Sequence, residues 1–537
     1  MKWKIIKEVF ADNRKALVAL ICISLFSIIS LLIGPYITSV IYSFEELNMK
    51  TFFYVCFLLI ISYFLQLLFI YIKGKFSLKF KINETKKMYR KVMDMKYDSI
   101  IDLKPMYLVE RTNQTVNSLS MFITNFFSSL ITYVVIVGVI LAWVLSINVY
   151  VFLIMIVMIP VNIFGFKLLN GKLQTESKKL QKVCSSNFAE ILNVMGNVDY
   201  IKQNGEKESI INLINPNITR IEEEMYSINK LAGFSHETIN IINNLVSNIL
   251  IIYIGFLMFN NNIIVGNVIV IIMLLNIYFN TIKGIVSVNL NYRDVKGSFD
   301  FIKEEIENNF ESDGESELLE INNIVIDSKE IRLGEQLLIE DVYLVANRGD
   351  IIGITGDSGS GKSTIAKFLL KFREINNIKI NDIDIRKYTN ESLRRKISYY
   401  SQNTPILSKT LADNISMGRS IENEEFEKLF KIDFIKEFFS DNFDMKYEIS
   451  ENGINLSGGE KQKIALMRLF LEKTDLIILD EITNAIDQIT SDQIIETIIK
   501  YSQDKIIIII THNENTSKYF TKTYKITKDK KLEEQHK

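Results

Sequence analysis

The sequence predicts a multi-domain chain: an all-α six-helix transmembrane domain followed by an α/β phosphate-loop NTPase domain. Three observations carry that expectation. Long uncharged apolar runs are confined to the first 290 residues, short Ile/Val-rich strands alternate with helical segments from Leu319 onward, and GDSGSGKST at 356–364 stands directly behind the apolar run 351–354. The chain has 537 residues, room for two or three domains of ~100–200 residues each. Apolar residues make up 48% and mean hydropathy is +0.15 despite a long charged C-terminal part, so the hydrophobicity is concentrated upstream. A net charge of −1 gives no general attraction to polyanions, and nucleic acid is not an expected partner. Cys22, Cys56 and Cys184 lie far apart without C-x-x-C spacing, which implies neither a disulfide framework nor a zinc site.

The transmembrane domain is expected over 1–300. Residues 1–15 form a basic lead. The apolar run behind it is too long for a signal peptide and lacks a small-residue cleavage site. Uncharged runs at 16–44, 51–72, 112–166 and 238–282 supply spans at about 16–44, 51–73, 122–146, 148–168, 240–260 and 264–284, each near the ~20 residues that cross a bilayer as a helix. Breaks fall near Ser146–Asn148 and at Asn260, Asn261, Asn262 and Gly266. Lys and Arg crowd into 73–111 and 167–236, whereas the other three links hold only Lys50. Basic loops stay cytoplasmic, so both termini are expected inside.

The two basic excursions have few Pro or Gly and keep a helical apolar period, so they read as membrane helices continued into the cytoplasm, doubling back near Pro105 and Gly205. No acidic or basic side chain falls at mid-span, which argues against proton or sodium coupling there. Tyr36, Thr38, Ser128, Thr132, Tyr133 and Asn162 are candidates to face a cavity, and helix packing explains them equally well.

A charged amphipathic stretch and the polar FESDGESE place a linker at 301–318, and 319–537 reads as the α/β domain. Gly356, Gly361, Lys362 and Ser363 fit G-x-x-x-x-G-K-[ST]. Backbone N–H groups across Gly356, Asp357, Ser358, Gly359, Ser360 and Gly361 are suited to cradle a polyphosphate. Lys362 neutralises its terminal groups, and Ser363, followed by Thr364, offers a hydroxyl to Mg²⁺. The apolar strand 476–479 ends in Asp480 and Glu481: the first is a candidate Mg²⁺ carboxylate, the second a candidate to polarise an attacking water. The strand 505–510, KIIIII, ends in Thr511 and His512, at the edge where ligands of doubly wound sheets bind. Ser457, Gly458 and Gly459 of LSGGE open a helical segment and form a second anion-binding turn. One phosphate loop has no evident use for it.

That surplus turn carries a resemblance. LSGGE at 456–460 resembles the signature motif of ATP-binding cassette transporters, and the whole chain resembles the exporter-type half-transporters of that family. The resemblance implies that ATP and Mg²⁺ are bound, that 356–364 is the Walker A loop and 476–480 the Walker B strand, and that Glu481 is the catalytic carboxylate. It implies further that Gln402 is the Q-loop residue touching Mg²⁺, His512 the switch histidine, and Asp487 of NAID the D-loop aspartate. The loop EISENG at 448–453 resembles the exporter coupling loop, and coupling helices are expected near 100–106 and 203–212.

The implied partners are a second half-transporter, as a homodimer or with a different chain, the lipid bilayer and a transported substrate, in a bacterial cell membrane. The implied activity is ATPase-coupled export of a hydrophobic or amphipathic substrate (a peptide or bacteriocin, a drug or a lipid). An importer on an exporter-like fold and an ATP-gated regulatory membrane protein are the alternatives. One position departs from the family: Ser328 stands where an aromatic side chain usually stacks on adenine, so that either another side chain such as Ile331 or Arg332 covers the base or the adenine is held loosely.

Overall fold

A computed structural model describes residues 18, 28, 31–42, 49–204, 206–260, 263–333, 336–357, 359–373, 377–401, 405–429, 432, 435, 445–481 and 488–535. The chain divides into two compact units, Met1–Met95 with Ser99–Phe310 and Lys96–Asp98 with Glu311–Lys537.

The first unit is helical: α1 Leu31–Tyr42, α2 Met49–Met93, all but the first two residues of α3 Tyr97–Leu103, α4 Pro105–Met121, α5 Phe127–Ile147, α6 Val149–Met195, α7 Val198–Asn204, α8 Lys207–Phe259 and α9 Val265–Phe301. Among the described residues four helices are long and apolar enough to cross a membrane, Phe52–Met93, Pro105–Ile147, Lys207–Phe259 and Val265–Ile285. Two shorter apolar stretches, Leu31–Tyr42 and Val149–Gly165, lie where the first and fourth spans are expected.

The break between α5 and α6 has a local cause. The Asn148 side chain caps α6, accepting from the backbone N–H groups of Tyr150 at 3.0 Å and Val151 at 3.1 Å. Gly284 lets α9 approach α5 closely, since a Cβ there would fall 2.5 Å from the Tyr133 ring; small residues at helix contacts are the usual means of packing in a bilayer. Ile136, Ile140, Met155, Leu250, Ile254 and Leu274 build a common core of α5, α6, α8 and α9. Along α2, by contrast, Phe52, Phe53, Phe57, Tyr63, Phe64 and Tyr71 are exposed, a surface suited to lipid.

Asn162 serves helix packing. Its amide and that of Asn243 exchange two hydrogen bonds of 2.9 Å, and both side chains are buried. The clasp joins α6 to α8, so helix packing accounts for Asn162.

The two excursions are long helices with short ones between them, and both short helices begin ahead of the places expected. The first is α3, stopped by Lys104 in a left-handed conformation (φ 66°) and by Pro105 at the start of α4. The second is α7, at Val198–Asn204 rather than 203–212, because α6 already ends at Gly196 and residues from Lys207 onward belong to α8.

The second unit holds two sheets. A four-stranded antiparallel sheet runs β2-β1-β4-β5, from β1 Asn323–Leu333, β2 Gln336–Asn347, β4 Ile378–Ile380 and β5 Ile383–Asp384. A six-stranded sheet runs β10-β9-β3-β8-β7-β6, from β3 Ile351–Gly356, β6 Ile397–Tyr400, β7 Leu476–Asp480, β8 Ile506–Ile510, β9 Lys522–Ile526 and β10 Leu532–Gln535. Its neighbours are parallel except at the β9–β10 edge. Strands buried on both faces read as continuous apolar runs, and β7 and β8 are buried at every position. Parallel register matters for function: β3, β7 and β8 deliver their carboxyl ends to one edge.

Candidate nucleotide site

Ile354 at the end of β3 sits level with Ile510 of β8, and Ile510 with Asp480 of β7. The backbone N–H of Glu481 donates to Ile510 O at 3.0 Å and that of Thr511 to Ile354 O at 3.1 Å, so the chain leaving each strand is held beside the phosphate loop. Gly356 adopts φ 149°, and a Cβ there would lie 3.0 Å from Ile526 O and 3.1 Å from Ser360 Oγ. Only glycine fits this turn without displacing β9. Gly361, at φ 100°, opens the helix α10 Lys362–Leu369.

Lys362 is buried and folds back over the loop, its Nζ donating to the carbonyls of Gly356 and Asp357 at 2.8 Å each. Ser363 Oγ donates to Asp480 Oδ1 at 3.0 Å. Tyr399 Oη donates to the other oxygen, Oδ2, also at 3.0 Å. Burial pushes the Asp480 carboxyl above the usual range for an aspartate, and the two hydroxyl donors oppose that shift. Burial also raises the Tyr399 phenol, and the neighbouring Asp480 charge adds to it.

Glu481 has φ 56°, a conformation that costs a non-glycine residue ~1–3 kcal/mol and is found disproportionately at functional sites. Its Oε1 lies 3.5 Å from His512 Nδ1. A cavity of about 570 Å³ is lined by Gly356, Asp357, Glu481, His512 and Asn513 among others. A second, of about 250 Å³, opens on the other side of the loop among Gln336, Leu338, Asp357, Gly359, Ser360 and Lys530.

The donor set fits a polyphosphate with a hard cation. Ser360 Oγ is buried without a hydrogen-bond partner among the described residues. Ser363 and Asp480 present two oxygens, few enough that phosphate and water would complete a Mg²⁺ shell.

The signature turn stands apart from this cluster. Ser457 caps the helix α11 Gly458–Leu471 through a reciprocal box: Glu460 N–H donates to Ser457 Oγ at 3.3 Å and Ser457 N–H to Glu460 Oε2 at 2.6 Å. Ser457 and Gly458 are exposed, and none of Ser457, Gly458 and Gly459 lines either cavity beside the phosphate loop. Ser358, Gln402 and Asp487 lie outside the described residues.

At the base end, Ser328 is buried and its hydroxyl donates to Glu330 O at 2.9 Å; Ile331 is buried as well. Arg332 alone of the three candidates is exposed, with Nη2 2.9 Å from Glu330 Oε2. Tyr399 is the site contact that sequence reasoning missed. Its signal was an aromatic residue with a hydroxyl three positions ahead of Gln402.

Known proteins fit this architecture. Residues 16–282 match the model of the ABC transporter transmembrane region and residues 339–484 that of the ABC transporter. The chain is 36% identical over 189 residues to a sublancin-168-processing and transport ATP-binding protein of Bacillus subtilis (strain 168), covering 34% of this chain and 26% of that protein. It is 34% identical over 207 residues to an ATP-dependent lipid A-core flippase of Colwellia psychrerythraea, covering 37% and 35%. A putative multidrug export ATP-binding/permease protein of Bacillus subtilis matches at 28% over 292 residues, covering 52% and 50%. The alignments thus span between about a quarter and a half of these relatives. A solved bacterial Atm1-family ABC exporter with ATP bound has the same fold, with a TM-score of 0.84 at 17% identity, covering 97% of this chain and 95% of the other. With a helical unit matching the transmembrane model and a phosphate-loop unit matching the cassette model in one polypeptide, the chain belongs to the ATP-binding cassette (ABC) transporter family.

Proposed function

We propose that the chain is an ATP-driven exporter half-transporter, with 1–300 as the transmembrane domain, 301–318 as linker and 319–537 as the cassette. The carrying observation is the separation of two anion-binding turns within one chain. The phosphate loop is surrounded by Ser363, Asp480, Glu481 and His512, while Ser457 and Gly458 are exposed and the Ser457–Gly459 turn lines neither adjoining cavity. In a head-to-tail pair each chain's turn would close the other's phosphate loop, so that ATP joins the two.

Within such a site the loop N–H groups and Lys362 bind the phosphates. Glu481 orients the attacking water, His512 faces the γ-phosphate, and the exposed turn excludes solvent. Mg²⁺, held by Ser363, Asp480 and Gln402, would supply charge neutralisation at the transferred phosphoryl group. Asp487 is the cassette's further contact across the pair. At the base end, Arg332 remains to cover adenine.

ATP-driven closure of the cassettes would draw the turns around α3 and α7 together and open the helical unit outward. The helices named above would sit in a bacterial cell membrane with both termini cytoplasmic. The names of the relatives concern sublancin-168, lipid A-core and multidrug export, and with them we read the substrate as hydrophobic or amphipathic. The test is ATP-dependent accumulation of labelled amphipathic peptides, lipids and dyes in inverted vesicles carrying the chain. Uptake dependent on ATP supports export; ATP-dependent movement in the opposite direction would refute it.

A further inference from the structure

We propose that Tyr399 is a positioning residue for the candidate metal carboxylate, its hydroxyl fixing Oδ2 of Asp480 while Ser363 fixes Oδ1. The inference rests on the reading of Ser363 and Asp480 as the cation-facing pair.

Sheet geometry delivers the contact. In the parallel pairing of β6 and β7, Tyr399 is level with Ile478, and side chains alternate faces along a strand. Ile397 and Tyr399 therefore share a face with Leu476, Ile478 and Asp480. Ile397, Leu476 and Ile478 belong to one buried core, against which Tyr399 packs. Its ring lies along that core and its hydroxyl reaches the carboxyl edge of the neighbouring strand, 3.0 Å from Asp480 Oδ2. Tyr400, one residue on, faces the opposite core. An aliphatic residue at 399 would fill the same core space and leave Oδ2 without this donor.

The hydrogen-bond inventory at Asp480 gives the contact a function. An ionised carboxylate only accepts, and a hydroxyl donates one proton while keeping lone pairs. With Ser363 Oγ donating to Oδ1, its remaining lone pairs stay available to a cation. A carboxylate held at Oδ1 alone can still swing about that bond; the Tyr399 donor at Oδ2 removes this freedom. Tyr399 also stands three residues ahead of Gln402, so the same hydrogen bond ties the strand entering that loop to the metal carboxylate.

Loss of a partner that orients a metal ligand typically costs ~10–100-fold in metal affinity or activity. The test measures binding of a fluorescent ATP analogue to the detergent-solubilised full chain as free Mg²⁺ is raised from an EDTA baseline, for the unsubstituted chain, Tyr399→Phe and Tyr399→Leu. Both substitutions are expected to raise the half-saturating Mg²⁺ concentration by ~10-fold. Metal-free binding and the melting temperature of Tyr399→Phe are expected to stay unchanged. A role confined to packing would instead spare Tyr399→Phe, which keeps the ring. A Mg²⁺ response in Tyr399→Phe equal to that of the unsubstituted chain, or an equal loss with and without the metal, overturns the proposal alone. No Mg²⁺ dependence in the unsubstituted chain overturns both the proposal and the reading of the site beneath it.

Discussion

Ser363 Oγ and Asp480 Oδ1 are 3.0 Å apart across 117 residues of sequence, joining the helix behind the phosphate loop to the tip of β7. If this pair receives the cation, Ser363→Ala should lower ATP turnover by ~100-fold, the size expected when a metal loses part of its hold on transition-state charge. Nucleotide binding in EDTA should stay within about twofold of the unsubstituted chain. Equal losses with and without metal would assign Ser363 to folding of the loop instead.

Glu481 lies beside His512 in the cavity that Gly356 and Asp357 also line, and its backbone φ is positive, at 56°. Replacing it with Gln keeps size but removes the carboxylate charge; if Glu481 is the proposed catalytic carboxylate, turnover should fall by roughly 10²–10⁴-fold while MgATP binding persists. Steady-state ATPase activity and equilibrium binding together check this. Unchanged turnover would remove Glu481 from the chemistry.

Gly459 has no neighbouring atom within 4 Å of an added Cβ, and it lies in the first turn of a helix, where an acidic side chain favours the dipole. Gly459→Asp should therefore leave the melting temperature of the apo chain unchanged. It should abolish ATPase activity by setting a carboxylate against a polyphosphate held by another chain. A large drop in apo stability would mean that the turn serves its own fold.

The Asn162–Asn243 clasp makes a separate prediction about the helical unit. Asn243→Leu strips Asn162 of its amide partner and should destabilise the unit by ~1–3 kcal/mol, the cost of a buried unsatisfied polar group. Replacing both residues by Leu should recover much of the loss. Thermal unfolding in detergent measures each variant.

Much of this protein was legible in its sequence because the relevant signals are local. Apolar runs announce the helices, and β7 and β8 read as strands because burial on both faces demands unbroken apolar residues. The polar residues at Ser146–Asn148 marked the break between α5 and α6, where the structure shows Asn148 capping α6. Where local signals ended, so did legibility. The Tyr399–Asp480 bond depends on which strands are neighbours, and 81 residues separate the partners. The π-helical turns at Phe122–Phe126 and Ile302–Ile306 differ from α-helix by a shift of one hydrogen-bond partner, which apolar periodicity does not register. The position of α7 was misjudged because Gly205 looked like the turn, whereas the helix before it had already ended at Gly196. At Ser328 a motif alignment pointed to the base, but strand alternation turns that side chain into the sheet.

The central claim is that two chains complete each other's ATP sites. Chains carrying Lys362→Ala and chains carrying Gly459→Asp, each with Glu481→Gln to halt turnover, can be purified as doubly tagged mixed pairs and assayed for MgATP retained through gel filtration. A symmetric pair has two equivalent sites, and mixing these variants leaves one site with both halves intact. The mixed pair should retain about half the ATP held by pairs carrying Glu481→Gln alone, while either variant paired with itself retains only background. Full retention by Gly459→Asp pairs, or none by the mixed pair, would contradict the account.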